Sequence, residues 1–251
     1  MRRSQIRPGR SSSRYARLVK ELVLASQPQL RALRLGLLTG VLLCLAVVAY
    51  GLLRYPAILT PPGPAIAYLL VFAFTAAGYG AMALRGTRPA SGAALRYGVR
   101  VGLLTGCAWL LEVAAGNLFG SAGAHRSWVL ALYYGTTVTA FGLPVVAGAL
   151  AARHSGEVAS GTIAGLWAGM VSGLITFLGL MVVTYLFLAV LRQDPDNLLE
   201  FQRSHAADLS AFLVGDSLAG AINHLWLVGP LLGTAAGTLG GAIGRQLAPR
   251  G

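Results

Sequence analysis

The sequence predicts an all-α integral membrane protein of six transmembrane helices, built as three parallel-repeat helical hairpins with both termini cytoplasmic. Three observations predict it: six long apolar stretches, charges confined almost entirely to the gaps between them, and a motif that returns after 66 residues. The stretches cover about residues 35–53, 64–84, 99–120, 128–151, 161–191 and 212–244. A bilayer core about 30 Å thick takes ~20 apolar helical residues to cross, and each stretch reaches about that length. Hydrophobic residues make up 55% of the chain and charged ones 11%, with mean hydropathy +0.66. A soluble domain carries about 25% charge, so none is expected here. Barrel strands would alternate polar and apolar residues over ~10 positions, a pattern these runs lack. The chain therefore divides into a basic arm over residues 1–34 and one transmembrane domain over 35–251.

The arm holds nine of the 20 Lys and Arg residues. Its Arg2-Arg3 pair is too far from the first apolar run to be a twin-arginine signal, and that run is too long for a signal-peptide core, so it is read as a retained helix. Within the arm, Tyr15, Leu18, Val19 and Leu22 recur at i, i+3, i+4 and i+7, which predicts a short amphipathic helix on the membrane surface as far as Pro28. Sixteen of the 20 cations fall on the side of the arm, and only Arg54, Arg126, Arg192 and Arg203 on the other. By the positive-inside rule that side is cytoplasmic. The arm is expected to attract anionic lipid of the bilayer. Nucleic acid is not expected as a partner despite the net charge of +12, because no binding module accompanies it.

The first and third stretches open alike. Arg34-Leu-Gly-Leu-Leu-Thr-Gly40 returns as Arg100-Val-Gly-Leu-Leu-Thr-Gly106, and Gly165-Leu-Trp-Ala-Gly169 is a weaker echo at the start of the fifth. The second, fourth and sixth stretches each end at an arginine: Arg85, Arg153 and Arg245. Three hairpins inserted the same way follow, expected around a pseudo-threefold axis normal to the membrane. Small residues four apart let helix backbones approach closely. Gly36 with Gly40, Gly102 with Gly106, Gly165 with Gly169, and the row Gly229, Gly233, Gly237 and Gly241 are accordingly read as helix-packing positions.

The fifth stretch is too long for a bilayer at 1.5 Å per residue, so it is expected to tilt or project outward. Residues 192–211 after it hold four of the chain's eight acids, with Asp194 or Asp196 able to cap a helix and Leu198, Leu199, Phe201 and Leu209 as apolar anchors. An amphipathic helix over the outer mouth of the bundle is expected there. In the sixth stretch Gly229-Pro230, and in the fourth Gly142-Leu-Pro144, mark expected kinks.

Two strongly polar ionisable groups lie deep in apolar runs, Glu112 in the third and His224 in the sixth. Such groups are costly in hydrocarbon and tend to face the bundle interior. Both are expected in the outer half at nearly one level, with Asn117, Tyr133, Tyr134, Asp216 and Asn223 collecting around them. Two readings of this set stand side by side: a ligand or proton pocket open to the outer face, and interhelical hydrogen-bond glue. Ser172-Gly173 with His224 resembles a membrane-embedded Ser–His pair only loosely, since the expected depths differ. Cys44 and Cys107 are packing residues, and no Walker motif, cofactor fingerprint, CxxC or metal-ligand cluster is present. No cofactor or metal is expected, and the chain is not read as an enzyme. Arginine-rich, Ala- and Gly-rich usage fits a bacterial plasma membrane. The function classes left are a small-molecule-binding or transport protein, and a non-catalytic accessory subunit of a larger membrane complex with other membrane subunits as partners.

Overall fold

The computed structural model describes residues 11–60, 65–85, 92–124 and 127–248, with side chains described outside 11–30 and 118–126. Its elements are α1 (Ser11–Arg54), a 3₁₀ turn (Pro56–Leu59), α2 (Ala65–Arg85), α3 (Gly92–Ala124), α4 (Ser127–Ser155), α5 (Val158–Leu191), α6 (Pro195–Ser204), α7 (Leu209–Asn223), a π-helical segment (His224–Leu232) and α8 (Gly233–Gln246). Among the described residues there is no strand. Six helical stretches are long and apolar enough to cross a membrane: Arg31–Arg54, Ala65–Arg85, Gly92–Asn117, Ser127–Ser155, Val158–Leu191 and Leu209–Gln246. Each overlaps one expected span. The last is built from α7, the π-helical segment and α8 end to end.

α1 passes through Pro28 as one helix, whereas an end was expected there. The apolar face of Tyr15, Leu18, Val19 and Leu22 lies outside the described side chains. Beyond α5, the Asp194 carboxylate accepts from the backbone N–H groups of Asp196 (2.9 Å) and Asn197 (3.3 Å), with Pro195 at the first helical position. α6 then ends at His205, whose φ of 55° stops the helix. Asp208 caps α7 through Ala211 N–H at 2.6 Å, and Phe201 rests on Phe212 with ring centres 5.8 Å apart. α6 thus spans from α7 to α3 across one end of the bundle.

Contacts along the helices set their directions. α1 rises with α5, since Gly40 lies on Leu174 and the Tyr185 hydroxyl donates to Val47 O at 3.0 Å. α3 also rises with α5, with Gly102 on Ala168 and Val171 and Gly106 on Ile175. α8 and the π-helical segment before it descend against α5, pairing Gly161 with Gly241, Gly165 with Gly237 and Gly169 with Gly229. α4 descends with α8 (Val145 beside Gly240, Ala149 beside Gly244), and α2 descends too, with Phe72 stacked on Phe177 at 5.5 Å and Tyr79 beside Gly173.

These contacts put α5 in the middle. α1, α3, α4, α7, the π-helical segment and α8 all pack on it, and its Trp167, Met170, Phe177 and Met181 are at most 2% exposed. The expected pseudo-threefold arrangement is not what forms, and small residues are the reason. α5 carries them on two faces, so α3 closes on one and α8 on the other. Gly36, expected at a close contact, has no atom within 4 Å of where its Cβ would be, because α1 and α3 pack on α5 and not on each other. α5 itself is 34 residues long, and its backbone leaves helical values at Phe187 (φ −110°, ψ 19°) near its far end.

The α5–α8 seam is backbone on backbone. A Cβ on Gly237 would come 2.5 Å from Gly165 Cα and 2.7 Å from Gly161 O, where no flexible side chain can yield. Gly237→Ala is therefore expected to cost about 1–3 kcal/mol by overpacking. Gly142→Ala, with no atom within 4 Å, is expected to be neutral or slightly stabilising. Unfolding in mixed micelles followed by circular dichroism compares the two; equal effects would show that the seam is not tight.

Candidate functional site

Pro230 organises the middle of the last span. It has no N–H to donate. In a π-helix each N–H reaches back five residues, so the carbonyl left without its donor is that of Leu225. The Tyr79 hydroxyl on α2 supplies the missing donor, reaching Leu225 O at 2.8 Å in a buried setting. The kink expected from Gly229-Pro230 is thus expressed as nine residues of wider helix, repaired from outside. Pro144 sits buried inside α4, which continues past it as a helix.

His224 opens the π-helical segment. Its Nδ1 lies 3.1 Å from Gly220 O one turn back, and a carbonyl can only accept, so Nδ1 carries a proton. In the neutral ring Nε2 is then an acceptor. It is buried and has no partner among the described residues. The ring stands edge-on to Trp109 of α3, centres 4.9 Å apart, and Trp109 is in turn edge-on to Phe141 of α4 at 5.2 Å. One turn before Trp109, the Thr105 hydroxyl is likewise buried and unpaired among the described residues. A void of about 10 Å³, close to what one water fills, lies between Thr105, Trp109, Pro144, Ser172 and Val228.

The other expected site residues are spread along the bundle. The Tyr133 hydroxyl on α4 lies close to the Glu112 carboxyl, and Tyr133 meets Tyr134 edge-on at 5.5 Å. Asn117 turns back on its own helix to donate to Val113 O at 2.9 Å. Asn223 accepts from Trp226 Nε1 at 3.2 Å, also within its own segment. Asp216 is exposed on α7 near Glu200 of α6.

Glu112 and His224 are not at one level. Gly106 on Ile175 and Leu110 beside Gly179 place Glu112 level with about Met181, while His224 O approaches Gly173. The offset is about eight residues of α5, ~12 Å at 1.5 Å per residue, with Glu112 nearer the α6 end. No ion pair joins the two among the described residues. Conversely, Ser172 and His224, expected at different depths, are nearly level, because the α5–α8 register fixed by the glycines draws His224 toward the middle. They are still not a pair: the Ser172 hydroxyl donates to Gly169 O at 3.0 Å and His224 Nε2 has no partner.

Tyr79, Trp109 and Thr105 belong to this centre and were not singled out by the sequence. A signal existed for Tyr79, since a proline deep in a span implies an orphan carbonyl that some hydroxyl must meet. Among the described residues no cluster of His, Cys, Asp and Glu has the make-up of a metal site. What the arrangement defines is a multi-pass helical membrane protein with a partly unsatisfied polar centre. No protein-family model, curated protein or solved structure matches the chain.

Tyr79→Phe is expected to cost about 1–3 kcal/mol by stranding the Leu225 carbonyl. In a Pro230→Ala background, where an N–H returns to the backbone, the same change is expected to cost at least about 0.5 kcal/mol less. A double-mutant cycle on unfolding free energy measures this, and simple additivity would refute the repair.

Proposed function

We propose that the chain is a small-molecule-binding or transport protein of a bacterial plasma membrane, with cytoplasmic termini and a polar centre reached from the outer face beneath α6. The observation that carries this reading is His224: an ionisable ring at membrane depth, fixed by Gly220 O and Trp109, whose buried Nε2 is unsatisfied. A buried acceptor left unpaired costs about 1–3 kcal/mol, and a π-helical turn inside a helix is frequent at functional sites. A ligand offering an N–H or O–H to Nε2 removes that cost. Thr105 Oγ1 lies one turn away on the face that carries Trp109 and supplies a second polar contact. Glu112 with Tyr133, and Asp216 beyond it, stand progressively nearer the outer end and provide polar stations along the approach.

The accessory-subunit reading has one observation in its favour. Tyr133 is 38% and Tyr134 63% exposed on α4, beside a half-buried carboxyl, so this polar group faces the lipid unless another protein covers it.

Native mass spectrometry of the protein gently extracted from its own membrane separates the two. The expected result is a stoichiometric small molecule whose occupancy falls about tenfold or more in His224→Ala, as the loss of one buried hydrogen bond implies. A co-purifying protein without any small ligand, released by Tyr134→Ala and indifferent to His224→Ala, would overturn the binding reading and make the chain a subunit of a larger complex.

A further inference from the structure

A cavity far larger than the void at the polar centre lies away from it. It is a groove of about 640 Å³ between α1 and α3, floored by α5 and open to the side. It exists because both outer helices pack on α5 and not on each other at this end. Gly36 borders it with nothing within 4 Å of where its Cβ would be, and Gly40 lies against Leu174. Leu37, Leu103, Leu174 and Leu178 give it apolar walls. Along α1 it runs from Ala32 to Gly40, about 12 Å at 1.5 Å per residue. One leaflet of hydrocarbon, half of the ~30 Å core, is of similar depth.

Its charged rim lies at one end only. Arg96 and Arg100, one turn apart on the same face of α3, both line the groove, both are exposed, and among the described residues neither has an ion pair. An apolar slot along the helices, closed by two free guanidiniums at the interface, matches a lipid with an anionic head. Basic pockets between transmembrane helices hold anionic lipid head groups in this way, and guanidinium is suited to phosphate through paired hydrogen bonds.

We propose that this groove is a binding site for one anionic phospholipid, with an acyl chain between α1 and α3 and its phosphate on Arg96 and Arg100. The site differs from the basic arm, whose attraction for lipid is diffuse, and it is independent of the polar centre around His224. A neutral phospholipid has the chain but presents no net charge to the two arginines, so the groove selects by head group.

The test uses the full-length protein in detergent with equal amounts of dioleoyl phosphatidylglycerol and dioleoyl phosphatidylcholine, read by native mass spectrometry. One phosphatidylglycerol is expected to remain bound per chain after the loosely held lipid is stripped. The double variant Arg96→Gln with Arg100→Gln is expected to lower the phosphatidylglycerol preference about tenfold or more. Gly36→Trp fills the groove from a position with open space and is expected to abolish retention of either lipid. His224→Ala is expected to leave the bound lipid unchanged, so failure of the polar-centre reading and failure of this one are distinguishable. Equal retention of the two lipids by the wild type, or an unchanged preference in the arginine variant, overturns the proposal. So does a Gly36→Trp protein that still holds the lipid, or one that instead loses a co-purifying membrane protein. If Gly36→Trp fails to fold, the arginine variant decides the question alone.

Discussion

The close approach of α5 to α8 is the constraint on which the rest of the structure depends. Lipid tails are as apolar as leucine, so burying hydrocarbon drives no association between spans, and close backbone contact has to. Here Gly161, Gly165 and Gly169 meet Gly241, Gly237 and Gly229 with no side chain between them. The same face of α8 is shared with α4, where Gly240 and Gly244 lie against Val145 and Ala149. Because α3 closes on the other face of α5 through Gly98 and Gly102, the fifth helix is enclosed and the others surround it.

That seam also sets the chemistry above it. Once Gly169 and Gly229 are in register, Pro230 follows at once, and the helix widens from His224 to Leu232. His224 is thereby carried to the level of Gly173, against Trp109. Elsewhere the polar accounting in the core is local. Ser172, Thr176 and Thr184 each donate to a carbonyl three or four residues back on α5, and Tyr185 reaches Val47 O across to α1. Backbone and hydroxyl groups at membrane depth are met in this way because no water is there to meet them. Against that background the atoms without a partner among the described residues stand out: Thr105 Oγ1 and His224 Nε2, both next to Trp109, and Trp167 Nε1, for which the surroundings supply no explanation.

The two candidate sites arise from opposite outcomes of helix packing. At the polar centre, tight packing leaves a space no larger than a water beside Thr105 and Trp109. At the α1–α3 groove, packing on a common third helix keeps two helices apart and leaves a slot that opens sideways. Arg96 belongs to the second site alone, and Thr105, two and a half turns further along the same helix, to the first. One helix thus carries a lipid-facing feature and an interior one at different heights.

Six spans, their approximate limits and the capped helix after the fifth span were legible in the sequence, because each follows from local composition: length against bilayer thickness, and Asp194-Pro195 at a helix start. The shared level of Glu112 and His224, the separation of Ser172 from His224 in depth, and the threefold plan were not, for a single reason. Depth within one span can be counted from its ends, but the offset between two spans is set by which small residues interlock, and a row such as Gly229, Gly233, Gly237 and Gly241 fits its partner equally well at several shifts of four. Composition and periodicity determined that this chain crosses a membrane and where. Only tertiary packing, through the register that sets Tyr79 and Trp109 against the segment around Pro230, decided which polar groups meet.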